Sequence, residues 1–169
     1  MTNAAKLASL SVICAAAVAF AVYSQQAWDM RPCPWCIIQR MLFIGCSLIA
    51  AIGAVFARTP SSTQTFRKQR VRAWPWIAIA LIAAFGAGSA IYQHLVASNQ
   101  ASCTISYAQS FVMATGLDEW LPSLFLVTGS CADASTARLV GVPYELVSAA
   151  LFLIIVGWCV LTVRTSKKR

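Results

Sequence analysis

The sequence predicts an all-α membrane protein, in which four transmembrane helices form a bundle with two outward-facing loops and a short interfacial helix in the second loop. Hydrophobic residues make up 59% of the 169 residues, and charged residues only 11%. A soluble domain carries about 25% charged residues, so this chain has too few to cover a soluble globule. The composition therefore excludes a soluble enzyme, a disordered chain and a fibrous protein.

Four apolar runs are long enough to cross a bilayer. A helix rises 1.5 Å per residue, so about 20 residues span the roughly 30 Å of hydrocarbon. The predicted spans cover about residues 7–23, 37–57, 74–96 and 142–163 of one membrane domain, 1–169, and leave outer loops at about 24–36 and 97–141. A cleaved signal peptide is an alternative for the first run, because Lys6 precedes an alanine-rich stretch.

Charge is distributed unequally between the two predicted sides of the membrane. One side carries all five acids together with only three arginines. The other carries ten basic residues and no acid: Lys6, Arg58, Arg67, Lys68, Arg70, Arg72, Arg164, Lys167, Lys168 and Arg169. Because basic residues are enriched in cytoplasmic segments, we expect both termini in the cytoplasm. The net charge of +8 is then explained by topology, and no nucleic-acid partner is expected.

The seven cysteines divide into two groups. Three lie within apolar runs, where free cysteine behaves as a small hydrophobic residue: Cys14, Cys46 and Cys159. Four fall in the predicted outer loops, on the side of the membrane where disulfides persist: Cys33, Cys36, Cys103 and Cys131. We expect the second group to form redox-active or structural disulfides.

Cys33-Pro34-Trp35-Cys36 is a C-x-x-C motif at the start of the second span. A disulfide between these two cysteines would close a small, strained ring, which favours disulfide exchange over a permanent structural bond. Unpaired backbone N–H groups at a helix amino terminus favour a thiolate at Cys36. The spacing alone does not separate redox chemistry from metal binding, and a structural Zn²⁺ site using all four loop cysteines is an alternative.

Cys103 and Cys131 are the widely spaced pair. As a structural disulfide they would close a loop and stabilise the fold by roughly 3–4 kcal/mol. The intervening stretch Leu117–Phe125 mixes acids with Trp, Leu and Phe, as expected of a segment at the membrane surface. Such an anchor would hold the loop near the first cysteine pair, which favours a redox role.

Three polar residues near the outer ends of the spans are candidate ligand-binding residues. Arg40 lies four residues after Cys36, on the same helix face, and a cation just inside the apolar zone is costly without a partner. It could stabilise a thiolate or a reduced anionic ligand, although it could also snorkel to the headgroups. Gln39 adds a neutral hydrogen-bonding group at this depth. His94 could hydrogen-bond a carbonyl ligand or relay a proton, or be an ordinary helix-end residue.

These features together resemble a known family. The C-x-x-C motif is followed by Ile-Ile-Gln-Arg, the third span contains Tyr92-Gln93-His94, and Gly129-Ser130-Cys131-Ala132 surrounds the last loop cysteine. With the four spans and the Leu117–Phe125 stretch, they resemble the DsbB family, the membrane thiol–quinone oxidoreductases of bacterial oxidative protein folding. The resemblance covers most of the chain and implies a multi-pass protein of the bacterial inner membrane.

The resemblance also implies an electron path. A soluble, thioredoxin-like oxidase of the DsbA type attacks a Cys103–Cys131 disulfide at Cys103. Freed Cys131 then engages Cys33 and releases Cys36 as a thiolate beside a bound quinone, either ubiquinone or menaquinone. Two electrons pass to the quinone, and the Cys33–Cys36 disulfide re-forms. The resemblance implies that Arg40 stabilises the thiolate and the reduced quinone.

One position departs from the family pattern. The best-known enterobacterial members carry an acid immediately before the arginine, where this chain has Gln39. Two alternatives remain open from the residues alone. One is a membrane reductase that moves electrons outward. The other is a non-catalytic four-span assembly or metal-binding protein with structural cysteines.

Overall fold

Four long helices form the frame of the protein. The computed structural model describes residues 2–58, 65–99, 107–131, 138–139 and 141–167. The long helices are α1 (Asn3–Ala27), α2 (Pro34–Arg58), α3 (Thr65–Leu95) and, last in the chain, α7 (Tyr144–Lys167). Each contains a segment long and apolar enough to cross a membrane. The predicted fold class, a bundle of four transmembrane helices, is confirmed.

Most helix ends lie beyond the predicted spans, although α3 ends at Leu95 and α7 begins only at Tyr144. The start of α2 matters most. α2 begins at Pro34, so Cys36 lies in its first turn and not in the preceding loop. Proline is favoured at the first helical position because its missing N–H needs no partner there. The Cys33 carbonyl accepts the first helical hydrogen bond, from the backbone N–H of Ile37 at 3.1 Å. Cys33 therefore occupies the capping position of the helix.

The segment between α3 and α7 contains short elements. A 3₁₀ turn (Ala97–Asn99) is followed by α4 (Tyr107–Thr115), α5 (Leu117–Trp120) and α6 (Pro122–Phe125). Two antiparallel strands, β1 (Arg138–Leu139) and β2 (Val142–Pro143), pair Arg138 with Pro143 and Leu139 with Val142. The stretch predicted to be a single interfacial helix is divided in two at Leu121, because the residue before a proline is disfavoured in helical conformation.

The core of the bundle lies between α1, α2, α3 and α7. α1 packs mainly on α2, α2 on α3, and α3 on α7, whereas α1 and α7 make few direct contacts. Phe43 and Phe152 stack at the centre with ring centroids 4.0 Å apart. Gly86 leaves room for this ring, since a Cβ there would lie 2.6 Å from Phe152 Cε1. Cys14, Cys46 and Cys159 all belong to this cluster and are fully buried.

A second, smaller cluster fastens α4 and α6 to the start of α2. Its buried members are Ile37, Ile38, Ala108, Val112 and Phe125. Burial of the isoleucine, valine and phenylalanine side chains contributes roughly 1.5–3 kcal/mol each. The second long loop is therefore held against the end of the bundle that carries the C-x-x-C motif, which we call the loop end.

Candidate active site

The C-x-x-C motif forms the centre of the site. The Sγ atoms of Cys33 and Cys36 lie 3.1 Å apart, in hydrogen-bonding contact. The backbone N–H of Cys36 also donates to Cys33 Sγ at 3.4 Å, the bond that a capping side chain makes to the third helical residue. The start of α2 therefore holds both sulfur atoms in contact.

Backbone hydrogen bonds bring Cys131 to this pair. The N–H groups of Thr128 and Gly129 both donate to the carbonyl of Pro32, at 3.1 and 3.2 Å. Gly129 fits tightly, because a Cβ there would lie 2.8 Å from Arg31 Cβ. Cys131 is consequently in side-chain hydrogen-bonding contact with Cys33. The fourth cysteine of the sequence prediction, at position 103, lies outside the described residues.

The two loop thiols in this contact have opposite pKa shifts. The pKa of Cys33 is raised well above its ordinary value, because its hydrogen bonds with the side chains of Cys131 and Cys36 stabilise the protonated form and because it is buried. The pKa of Cys131 is lowered, chiefly because its sulfur accepts the hydrogen bond from Cys33. These shifts describe the reduced thiols, in which the proton is held on Cys33. The contact between the two side chains is the proximity that disulfide exchange between Cys131 and Cys33 requires.

A cavity adjoins Cys36 on the membrane side. Its volume is about 240 Å³, and it lies between α1, α2 and α7, where α1 and α7 make few contacts. Its polar lining is Cys36, Gln39, Arg40, Tyr144 and Ser148, and its apolar lining includes Ile13, Val18, Phe20, Val147 and Leu151. Such a chamber, apolar with polar groups at one side, is typical of a site for a small amphipathic molecule.

Arg40 lies at the wall of this cavity and is held in place from three directions. Its Nη1 donates to Gln25 Oε1 at 2.9 Å and to the Leu124 carbonyl at 3.1 Å. Its Nη2 donates to the Ala21 carbonyl at 3.3 Å. The side chain is 7% exposed, so the snorkelling alternative does not describe it. A guanidinium has five N–H donors, and the three bonds formed with described residues leave part of this capacity unused.

Two consecutive residues near the end of α3, Tyr92 and Gln93, contact different parts of the site. The ring centroid of Tyr92 lies 5.2 Å from that of Trp35. Trp35 is the residue immediately before Cys36 in the motif. Gln93 donates from Nε2 to Cys36 Sγ at 3.4 Å. The Oε1 of Gln93 accepts a hydrogen bond from Gln39 Nε2 at 2.8 Å.

His94, the next residue, is not among those lining the cavity. Its Nδ1 lies 3.0 Å from Glu145 Oε1. The Glu145 side chain is 1% exposed, and within the described part of the chain its Oε2 has no hydrogen-bond partner. The structure thus groups Cys33, Cys36, Arg40 and Gln39, and it pairs His94 with Glu145 outside the cavity lining.

The sequence matches a family of known proteins over nearly its whole length. Residues 4–162 match the family model described as disulfide bond formation protein DsbB. A disulfide bond formation protein B of Nitrosospira multiformis is 32% identical over 131 residues, covering 72% of this chain and 68% of that protein. The protein of the same name from Burkholderia pseudomallei is 34% identical over 126 residues, covering 74% and 69%. The chain belongs to the DsbB family. It is a multi-pass membrane oxidoreductase that forms disulfide bonds.

Several polar residues of this DsbB-family site were not singled out from the sequence. Gln25, Tyr144 and Ser148 escape notice because they sit in or beside apolar runs with no motif around them. Glu145 was counted only as an outer acid. Its place at the start of an apolar run is a usable signal, since an ionisable residue inside a span needs a partner.

Proposed function

We propose that the protein oxidises a soluble, thioredoxin-like disulfide oxidase of the DsbA type and passes the electrons to a membrane quinone. The observation that carries this proposal is the position of Cys36. It touches Cys33, which in turn contacts Cys131 of the second loop, and it also lines the cavity between α1 and α7. The contacting thiols of Cys131, Cys33 and Cys36 therefore form a continuous series from the loop end to the cavity.

The thiol steps follow from ordinary disulfide exchange. A partner thiolate attacks Cys103 of a Cys103–Cys131 disulfide. The new S–S bond forms to Cys103, and the electron pair of the broken bond leaves with Cys131. Cys131 then attacks Cys33 of the Cys33–Cys36 disulfide, and Cys36 leaves as a thiolate.

Two further exchanges complete the transfer. The second thiol of the partner displaces Cys103, which releases the partner as a disulfide. Cys103 then displaces Cys33 from Cys131, so the Cys103–Cys131 disulfide is restored and the motif holds two thiols. The net result is one disulfide made in the partner and two electrons held by the C-x-x-C pair.

The cavity fits a quinone by its chemistry. Its apolar walls suit a ring and the beginning of a prenyl tail, and its lining includes N–H donors from Arg40 and Gln39 for carbonyl oxygens. A bound quinone, ubiquinone or menaquinone, supplies the two-electron acceptor. We propose that Arg40 and Gln39 bind it, and that His94 supports the site through its bond to Glu145.

The proposed location is the bacterial inner membrane, with both termini in the cytoplasm and the cysteine loops in the periplasm. Charge supports this orientation. Arg58 ends α2 at the end of the bundle opposite to the loop end, and the basic residues 67–72 follow it in sequence. The three arginines of the loop side are accompanied there by all five acids.

Quinone reduction by the purified protein tests the proposal. The protein in detergent receives a reduced thioredoxin-like oxidase and either quinone, and the wild type is compared with Cys36→Ser and with Cys46→Ala, a buried cysteine of the core cluster. We expect oxidation of the partner in the wild type and Cys46→Ala, and its loss in Cys36→Ser. Equal turnover in Cys36→Ser would remove this thiol from the path and overturn the mechanism.

A further inference from the structure

Two glutamine side chains form a buried chain that ends on the Cys36 sulfur. Gln39 on α2 is 3% exposed and Gln93 on α3 is 1% exposed. Gln39 Nε2 donates to Gln93 Oε1 at 2.8 Å, and Gln93 Nε2 donates to Cys36 Sγ at 3.4 Å. The last donor therefore contacts the atom that leaves and re-forms the disulfide in the proposed mechanism.

The first hydrogen bond fixes the direction of the second. An amide has a donor end and an acceptor end. Because the Gln93 oxygen is occupied by the N–H of Gln39, the NH₂ group of Gln93 is turned toward the sulfur. Gln39 thus determines that the NH₂ group of Gln93, and not its carbonyl oxygen, faces the Cys36 sulfur.

A donor at this place favours the thiolate over the neutral thiol. A hydrogen bond to the charged form of a group stabilises that form, and such a bond is stronger where water is excluded. Both amides are neutral at every ordinary pH. They therefore stabilise a negative sulfur without adding a second ion that would itself need a partner inside the membrane.

We propose that Gln93 is a catalytic residue that stabilises the Cys36 thiolate through its amide N–H, and that Gln39 is the positioning residue that orients this amide. The inference rests on the proposed function only in taking Cys36 as the leaving thiol of the motif. It adds to the Cys33 contact at the Cys36 sulfur a neutral, directed donor from α3, beside the more distant positive charge of Arg40.

The reduction potential of the Cys33–Cys36 pair provides a direct measurement. Stabilising a thiolate in the reduced form makes a disulfide more oxidising. Loss of the Gln93 donor should therefore make the pair more reducing. A hydrogen bond to a charged group corresponds to about a ten- to hundredfold change in equilibrium constant, which for this two-electron couple is a shift of about 30–60 mV.

The experiment equilibrates quinone-free protein with glutathione redox buffers and measures the oxidised fraction of the motif by mass spectrometry. Gln93→Met removes the donor while keeping a side chain of similar length, and Gln39→Met removes only its orientation. Gln26→Met, at an exposed position near the end of α1, is the matched control. We expect a shift to more reducing potential in Gln93→Met, a smaller one in the same direction in Gln39→Met, and none in the control.

An unchanged or more oxidising potential in folded Gln93→Met would overturn the inference. If Gln93→Met does not fold, the reduction potential of Gln39→Met decides, because this variant leaves Gln93 in place. An unchanged or more oxidising potential in Gln39→Met would then overturn the inference. Failure of the proposed function is distinguishable. A wild type that exchanges with glutathione but never reduces a quinone contradicts the proposed function, while the comparison of potentials still stands.

Discussion

Replacing Gly129 by alanine tests whether docking of the second loop on the first controls thiol exchange. The added Cβ would lie 2.8 Å from Arg31 Cβ and 2.9 Å from the Arg31 carbonyl oxygen. Ordinary contacts between such atoms are about 3.5–4.0 Å. The main-chain oxygen cannot rotate away as a side chain could, so the segment must move by roughly 1 Å.

The displacement acts on the contact between Cys131 and Cys33. The two N–H groups that hold the segment, of Thr128 and Gly129, share the Pro32 carbonyl at 3.1 and 3.2 Å. Weakening them costs about 0.5–1.5 kcal/mol each. Since misplacing a reacting group by about 1 Å lowers rates by about a hundredfold, we expect the Cys33–Cys131 disulfide to form about a hundredfold more slowly.

The assay follows that disulfide directly. In a background with Cys36→Ser and Cys103→Ser, reduced protein receives oxidised glutathione as the oxidant. Samples are quenched with acid at intervals and analysed for the Cys33–Cys131 cross-link by mass spectrometry. Gly45→Ala on α2 is the control, because a Cβ there meets no atom within 4 Å. A folded Gly129→Ala protein that forms the cross-link at the wild-type rate would refute the reasoning.

Three further predictions concern packing, protonation and the buried carboxylate. Gly86→Ala would place a methyl group 2.6 Å from the Phe152 ring and should destabilise the bundle by about 1–3 kcal/mol, measured by denaturant unfolding in detergent against Gly45→Ala. The pKa of Cys131 is lowered by its hydrogen bond from Cys33, so Cys131 should still be alkylated at a pH at which an ordinary cysteine no longer reacts. Cys33→Ala removes that donor and should shift the pH profile of Cys131 alkylation to higher pH. His94→Leu leaves the Glu145 carboxylate without its partner and should cost about 1–3 kcal/mol, whereas adding Glu145→Leu should recover part of that loss; equal stability of the wild type and His94→Leu would contradict this.

The fold could be predicted because its causes are local in sequence. Each span is a continuous apolar run, and the backbone satisfies its own hydrogen bonds within one helix, so no long-range pairing is needed to recognise it. The C-x-x-C motif is equally local: Pro34 at the first helical position and Cys33 before it determine the start of α2. The precise ends of the helices were less accessible, because helical hydrogen bonding continues past the apolar residues.

The site beyond the motif could be predicted only in part, because its contacts join distant residues. The spacing of Arg40 relative to Cys36 indicated one helix face, but nothing in the sequence indicated that Gln25 and the Leu124 carbonyl would bind its guanidinium. His94 was a candidate for a ligand contact or an ordinary helix-end residue, and nothing in the sequence indicated that it would bond Glu145, 51 positions away. Such pairs depend on how helices rotate against one another, which the apolar pattern leaves undetermined.

The start of α2 separates two kinds of chemistry by a single helical turn. Cys33 caps the helix, is fully buried beneath the second loop and contacts Cys131. Cys36, three residues later, lines the cavity that opens between α1 and α7. Disulfide exchange needs a mobile partner thiol from the aqueous side, whereas a lipid-soluble acceptor reaches the protein only from the membrane. Two intervening residues keep the two sulfur atoms in contact while Cys33 faces the second loop and Cys36 faces the cavity. In the proposed mechanism, the C-x-x-C spacing itself therefore links the soluble thiol partner to the acceptor in the membrane.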